Sequence, residues 1–348
     1  MKGKSKLFIT GLAIMPGIFL STGCHNIGNG GSVSTTDTTK AIAEKTTIAI
    51  PAFNADTAYY YTKEQVDFGP RIPGTKSHQE CLDFIVAQLT KDSLHPIIQK
   101  SKARTFDGKT FEFDNVIAQS QPKNTVRIML CTHWDTRPWA DLDSVDSDKP
   151  FDGADDGASG VAMLLELAHH LKDANIGVDL VFFDLEDYGQ QNGVNGEDTK
   201  YPAQDDTWCL GSQYWAKNLP TDYIMPRFGI LLDMVGGKNA VFPMEGTSMR
   251  YAPQIVNKIW DMAASIGYGN YFTHDRTVET IDDHKYVNQL ANIPTIDIVH
   301  YDSKTRDYPY FHHKHSDNMS VLDKNTMNMV GTTLLNVIYR EKNNSETP

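Results

Sequence analysis

The sequence predicts an α/β protein, a three-layer sandwich in which a central sheet is flanked by helices on both faces. Short apolar runs rich in β-branched and aromatic residues alternate with longer segments whose apolar residues recur every three or four positions. Because two parallel strands need a crossover connection between them, this alternation favours a mixed, largely parallel, twisted sheet.

The strand and helix patterns can be placed on the chain. The near-continuous apolar runs are typical of strands buried on both faces, and they cover residues 126–131, 178–183, 228–232 and 294–299. The amphipathic segments have polar residues between the apolar ones and predict helices over residues 77–90, 158–171, 253–266 and 325–340.

The composition indicates a globular protein. The 348 residues include 40% hydrophobic residues and 32 Lys+Arg against 44 Asp+Glu, a net charge of −12. This apolar content is too high for a disordered chain, and the acidic balance argues against nucleic acid as a partner. A chain of this length buries enough surface to fold without a metal, so any metal serves chemistry.

The N-terminus has the pattern of a lipoprotein signal. Three lysines precede an apolar run over residues 7–20, and the small residues 21–23 lead to Cys24, which resembles a bacterial lipobox. Residues 1–23 are therefore expected to be a signal peptide, with Cys24 lipidated and the protein facing the periplasm of a bacterial cell envelope. The alternative is an ordinary cleaved signal in which the cysteine is incidental.

The rest of the chain is expected to form one catalytic domain. Residues 24–48 are rich in Gly, Ser, Thr and Asn and predict a flexible tether, residues 49–342 the domain, and residues 343–348 a polar tail. Cys81, Cys131 and Cys209 are odd in number and form no Cys-x-x-Cys pair, so no disulfide framework is expected. A single bridge among them remains open.

Acidic and imidazole side chains follow the predicted strands, where ligands collect in open α/β sheets. Such candidates are His133, Asp156, Glu186, Asp187, Asp233 and the histidines of residues 310–318. A nitrogen and oxygen ligand set without thiolate suits a catalytic zinc, which needs three protein ligands and an open fourth position. Taken singly, each is also typical of a helix cap or a surface charge.

Several of these segments resemble a known family. Residues 152–160, 182–187 and 231–235 are similar to the metal-binding segments of the zinc aminopeptidase superfamily. Residues 133–139, 282–284 and 311–318 resemble the secreted zinc-dependent glutaminyl cyclases, the glutaminyl-peptide cyclotransferases of animals and bacteria. The similarity runs from about residue 60 to the C-terminus and implies the α/β sandwich fold.

The resemblance implies one zinc ion per chain, held by Asp156, Asp187 and His313. Vertebrate cyclases and the aminopeptidases have Glu at the second position, so the shorter Asp187 is a departure that affects the metal distance. His313 is aligned by counting back from Asp317, and His315 is the competing histidine.

The resemblance also implies that Glu186 is the general acid/base. Asp233 and Asp282 match two acids that hydrogen-bond around it, with Asp283 as the alternative register. Like charges disfavour ionisation, so these carboxylates are expected to raise the pKa of Glu186 towards neutrality.

The implied reaction converts an N-terminal glutaminyl residue of a peptide or protein to pyroglutamyl, with release of ammonia. Zinc would polarise the γ-carboxamide while Glu186 moves the proton. The residues expected to line the pocket are Trp139, Tyr308, Phe311 and His312, which lie in the segments that would frame it. The aromatic ones are equally typical of the core. We expect a monomer that meets the membrane only through a lipidated Cys24.

Two other functions fit the sequence. In a two-zinc aminopeptidase, His133, Asp156 and Asp233 would bind one metal and Asp156, Asp187 and His313 the other, with Glu186 activating a bridging water. In a surface lipoprotein that binds peptide or glycan without turnover, the same residues would have no catalytic use.

Overall fold

The computed structural model describes residues 49–191 and 201–342. These residues belong to one compact unit that begins at Ile48. The predicted signal peptide, the tether up to residue 48 and the polar tail lie outside the described residues, so their assignments stay predictions. None of the helices in the described ranges is long and apolar enough to cross a bilayer.

The described residues form a six-stranded mixed sheet, a two-stranded sheet and helices. The strands are β1 (Ile97–Arg104), β2 (Thr110–Ser120), β3 (Arg127–His133), β4 (Gly177–Phe183), β5 (Gly229–Asp233), β6 (Phe242–Met244), β7 (Phe272–Arg276) and β8 (Thr295–Val299). The α-helices are α1 (Ala55–Phe68), α2 (Lys76–Lys91), α3 (Ala158–Ala168), α4 (Leu210–Lys217), α5 (Gly246–Tyr251), α6 (Pro253–Ser265), α7 (Asp283–Tyr286) and α8 (Lys324–Arg340).

The large sheet has the strand order β1-β2-β4-β3-β5-β8. The four strands β4, β3, β5 and β8 pair in parallel, whereas β1 and β2 form an antiparallel hairpin that adds to β4. In register, His133 at the end of β3 faces Phe183 of β4, and Asp233 at the end of β5 faces Val299 of β8. The carboxyl ends of the parallel strands therefore meet at one edge of the sheet.

Alternate residues of each parallel strand pack into different hydrophobic layers. Along β3, Ile128 and Leu130 belong to the layer that contains residues of α1, α3 and α8, whereas Met129 and Cys131 pack with residues of α4. Because successive side chains of a strand point to opposite faces, helices cover both faces of the sheet. The predicted three-layer α/β sandwich is confirmed.

The elements predicted from periodicity are present within a few residues of their expected bounds. The hairpin of β1 and β2 was not predicted, because β1 has no buried residue and β2 mixes exposed, half-buried and buried positions, so neither forms an apolar run. Cys81, Cys131 and Cys209 are buried and free, so the single bridge that the sequence left open is not formed.

Candidate active site

The candidate active site lies at the carboxyl edge of the parallel strands. His133 is the last residue of β3 and Asp233 the last residue of β5. Glu186 and Asp187 follow β4 in the turn after Phe183, and Asp156 precedes α3. Segments far apart along the chain thus meet at one edge, as the sequence predicted.

A buried aspartate fixes the turn that carries Glu186 and Asp187. The carboxylate of Asp135 accepts hydrogen bonds from the main-chain N–H groups of Glu186, at 3.0 Å, and Asp187, at 3.1 Å. Leu185, the residue before them, has a positive φ of 54°. The turn is unfavourable for a leucine, and the carboxylate helps to hold it.

A second buried aspartate does the same for the segment before α3. The carboxylate of Asp317 accepts hydrogen bonds from the main-chain N–H groups of Asp155, at 2.8 Å, and Asp156, at 3.1 Å. Gly157 follows with φ 87°, and a Cβ there would lie 2.8 Å from the carbonyl oxygen of Asp135. Only glycine fits this position without strain.

His313 lies close to each of the two predicted carboxylate ligands. Its Nε2 atom lies 3.6 Å from Oδ2 of Asp156 and 3.1 Å from Oδ1 of Asp187. With ordinary zinc–ligand bonds, two ligand atoms on one tetrahedral ion lie about 3.3–3.5 Å apart. Oδ1 of Asp187 is buried and has no hydrogen-bond partner in the described structure. Such an atom is costly unless a cation occupies the position, so the residues present fit a zinc ion.

The other histidines of the segment differ in position. The donor atoms of Asp156, His312 and His313 all lie within 4.8 Å of one another, and the His312 and His313 rings stack at 3.8 Å. His315 points elsewhere, with its Nδ1 atom 2.7 Å from Oδ2 of Asp143. The geometry therefore favours His313 over His315 as a ligand.

The alternative second-metal residues are also adjacent. Nε2 of His133 lies 3.1 Å from Oδ1 of Asp156 and 3.3 Å from Oδ1 of Asp233. In the described structure the imidazole bridges the two carboxylates as a hydrogen-bond partner.

Glu186 is buried among other acids. Its Oε1 atom accepts a hydrogen bond from Sγ of Cys209 at 3.2 Å. One possible metal-ligand atom from each of Glu186, Cys209 and Asp282 lies within 4.8 Å of the other two. Burial raises the pKa of Glu186 well above its usual value. The charges of Asp187, Asp282 and Asp283 raise it further, while His133 opposes them. The pKa of Glu186 is raised, as expected, but burial contributes more to the shift than any one neighbouring carboxylate does.

The two acids of residues 282 and 283 differ in exposure to the cavity. Asp282 lines the cavity and caps α7 by accepting the N–H of Asp283. Asp283 is fully buried and is not among the cavity-lining residues. Of the two residues, Asp282 is therefore the better candidate for the acid that faces the cavity.

The cavity above these groups has a volume of about 520 Å³. Tyr308 and His312 line it, as predicted, and their rings lie 4.4 Å apart. Phe311 does not line it, because its side chain is 1% exposed and packs in the hydrophobic core. Trp139 is also absent from its wall and lines a neighbouring cavity with Phe106. The predicted pocket roles of Phe311 and Trp139 are therefore wrong.

Three residues of the site were missed. Trp208 lines the cavity, and its ring lies parallel to that of His313 at 6.1 Å. Nothing in the loop before α4 marks this tryptophan as a site residue. Asp135 and Asp317 stand within motifs that were noted, but their bonds to main-chain amides depend on the folded loops.

The fold, the carboxylate and imidazole groups at the edge of its sheet and the buried glutamate define a zinc-dependent enzyme of the aminopeptidase type. The model of peptidase family M28 matches residues 115–338, more than half of the chain. The protein belongs to peptidase family M28.

Solved structures of known proteins are similar over most of the chain. A glutaminyl cyclase of Bacteroides thetaiotaomicron bound to N-acetylhistamine is 43% identical, with a TM-score of 0.80, and the match covers 84% of this chain and 100% of that one. A zinc-dependent exopeptidase of Parabacteroides distasonis is 42% identical, with a TM-score of 0.79 and the same coverage. A glutaminyl cyclase of Fimbriiglobus ruber is 30% identical, with a TM-score of 0.76, and the match covers 85% of this chain and 98% of that one. The expected resemblance to the glutaminyl cyclases is confirmed.

Proposed function

We propose that the protein is a glutaminyl-peptide cyclotransferase, a zinc-dependent acyltransferase that converts N-terminal glutaminyl residues to pyroglutamyl and releases ammonia. The observation that carries the proposal is the cavity in which Glu186 faces the Asp156, Asp187 and His313 cluster. Four solved structures of glutaminyl cyclases, from three organisms, are 41% to 43% identical to this chain and are matched over 98% to 100% of their length.

One zinc ion would be held by Asp156, Asp187 and His313. When bound, zinc supplies a Lewis acid that polarises the γ-carboxamide carbonyl of the substrate. Two carboxylates and one imidazole would supply three ligands, the number that a catalytic zinc site takes from the protein. The shorter side chain of Asp187 reaches within 3.1 Å of the His313 Nε2 atom, so it meets its fellow ligand despite its length.

Glu186 moves the proton. As the substrate α-amine attacks the carbonyl carbon of the γ-carboxamide, the Glu186 carboxylate accepts a proton from the amine nitrogen. The bond from that carbonyl carbon to the amide nitrogen then breaks, and Glu186 returns the proton to the amide nitrogen, which leaves as ammonia. A carboxyl group with a raised pKa both accepts and donates a proton near neutral pH, which suits this exchange.

The cavity walls orient the substrate. The reaction is intramolecular, so the enzyme has to hold the glutaminyl side chain in a folded rotamer with the amine near the carbonyl carbon of the γ-carboxamide. Aromatic side chains of Tyr308 and Trp208 and the imidazole of His312 line the space in which this rotamer would lie. A peptide with N-terminal Gln is the substrate class that such a site accepts, and the rest of the peptide points outwards.

The experiment is incubation of the zinc-loaded protein with a peptide that begins with Gln, followed by mass spectrometry. We expect a mass loss equal to one ammonia and no shortening of the peptide. A matched peptide with an acetylated N-terminus should not react, because its nitrogen is no longer a nucleophile. Release of free N-terminal amino acid would contradict the proposal and favour the two-zinc aminopeptidase.

We also propose that the protein is an exported lipoprotein anchored through Cys24, and that it is a monomer. The support is the basic, apolar and small-residue pattern of residues 1–24. Mass spectrometry of the mature N-terminal peptide tests the anchor, since an unmodified cysteine would contradict it. Sedimentation velocity of the protein without its signal tests the monomer, which a dimer mass would contradict.

A further inference from the structure

Arg137 is a buried cation beside the candidate zinc site that the proposed mechanism does not use. Its side chain is 1% exposed and lies in the loop that follows β3. Nε and Nη2 donate to the two carboxylate oxygens of Asp141, at 2.9 Å and 2.6 Å. Nη1 donates to the carbonyl oxygens of Asp187, at 3.0 Å, and Gly189, at 3.1 Å. Both ends of the guanidinium group are thus tied to named partners.

The same residue orients the carboxylate of Asp187. The main-chain N–H of Arg137 donates to Oδ2 of Asp187 at 2.8 Å, and its guanidinium holds the Asp187 carbonyl. Because Oδ2 is engaged, the other oxygen, Oδ1, is the one that lies 3.1 Å from Nε2 of His313. The main chain of Arg137 therefore holds the Asp187 carboxylate, and the guanidinium group holds the main chain that carries it.

Arg137 also reaches His313 through two neighbours. The Asp141 carboxylate that it binds lies 3.7 Å from Nδ1 of His313. The guanidinium carbon lies 4.7 Å from the ring centre of Trp208, whose ring is parallel to that of His313. Trp139 packs on the guanidinium as well, at 5.3 Å. Nδ1 of His313 forms no hydrogen bond within the described structure, so these neighbours act on it through charge and packing. Groups next to a ligating residue tune the affinity of a metal site.

We propose that Arg137 is a positioning residue that pre-sets Asp187 and His313 for zinc and so determines zinc affinity. The inference rests on the ligands named under the proposed function. Only a planar guanidinium bonds a carboxylate with two atoms, donates to two carbonyl oxygens and stacks on indole rings at once. An ammonium group keeps the charge but loses this geometry. An Arg137→Lys substitution therefore shows whether the contacts of the guanidinium group matter in addition to its charge.

The test compares Arg137→Lys with Arg127→Lys by competition with a zinc-binding chelator in the absence of peptide. Arg127 is a fully buried arginine at the other end of β3 whose Nε donates to Asp179 at 2.9 Å. Both variants keep a buried positive charge but lose hydrogen bonds of the guanidinium group, so both are expected to melt at lower temperature. Only Arg137→Lys should bind zinc more weakly, by about 10- to 100-fold. The Arg127→Lys variant should bind zinc as the unchanged protein does.

A second variant tests the same contacts, in case Arg137→Lys fails to fold. Asp141→Asn keeps the shape of the side chain but removes the charge that pairs with Arg137 and faces His313, and it should also weaken zinc binding. Unchanged zinc affinity in both Arg137→Lys and Asp141→Asn would overturn the proposal, as would an equal loss in Arg127→Lys. Because no peptide is present, weakened zinc binding supports the inference even if the protein proves not to be a cyclase.

Discussion

At the scale of single residues, the Glu186 carboxyl group contacts a thiol and is not among the predicted zinc ligands. Its Oε1 atom accepts the Cys209 thiol, a weak donor, and its main chain is held by Asp135. The carboxyl group is therefore placed by its backbone turn and remains available for proton transfer. This arrangement makes the acid/base role testable by a substitution that keeps the shape of the side chain.

Glu186→Gln should lower kcat by about 100- to 10,000-fold, because the amide does not exchange a proton with the substrate nitrogen. Zinc content should be unchanged, since Glu186 is not among the predicted ligands. The measurement is steady-state cyclisation of a Gln peptide, with the bound zinc quantified in the same samples.

The matched control is Glu166→Gln. Glu166 is also buried, but it lies on α3 and its Oε1 atom accepts the main-chain N–H of Asn54 at 3.0 Å. This variant should keep its kcat while losing some stability. Full activity in Glu186→Gln would show that another group moves the proton.

Some residues of the site were predictable from sequence and others were not, for a physical reason. Asp156, Asp187 and His313 are marked by motifs whose residue types match zinc chemistry, and the fold brings them together. Neighbouring side chains in the turn over residues 311–313 point in different directions, so Phe311 enters the core while His312 lines the cavity. Sequence order does not reveal such a divergence.

At the scale of elements, the parallel strands were visible because both of their faces are buried. Every residue of β3 and β4 is buried, so each appears as an apolar run in the sequence. In β1 exposed residues alternate with half-buried ones and none is buried, and a pattern of this kind is weak. The hairpin of β1 and β2 therefore could not be recognised from hydrophobicity alone.

Helix α3 lies unusually close to the sheet at Gly160. A Cβ at this position would lie 2.1 Å from Oγ1 of Thr132 and 2.7 Å from the main-chain carbonyl oxygen of Leu232. Because α3 begins two residues after Asp156, this close packing fixes the position of Asp156, a predicted zinc ligand, relative to the sheet.

Gly160→Ala should therefore destabilise the protein. Alanine improves helix propensity by about 1 kcal/mol, but overpacking costs about 1–3 kcal/mol and the Leu232 carbonyl belongs to a strand that cannot withdraw. We expect a net loss of up to about 2 kcal/mol in the free energy of unfolding, measured with a chemical denaturant. An increase in stability would mean that α3 moves away from the sheet at little cost.

At the scale of the whole molecule, the packing of the fold positions the site residues, and the site is not needed to hold the fold together. Two hydrophobic layers enclose the sheet, and the described cysteines are free, so neither a metal nor a disulfide is needed to hold it. The sheet places residues from distant segments at one edge. The buried acids gathered there raise the pKa of Glu186, which is a condition for the proposed reaction.

The central claim is that a single zinc ion sits beside Glu186, and anomalous diffraction at the zinc edge from crystals of the zinc-loaded protein tests it most directly. The account predicts one peak per chain, bounded by Oδ2 of Asp156, Oδ1 of Asp187 and Nε2 of His313. A second peak between His133 and Asp233, or a lone peak away from the three predicted ligands, would contradict it.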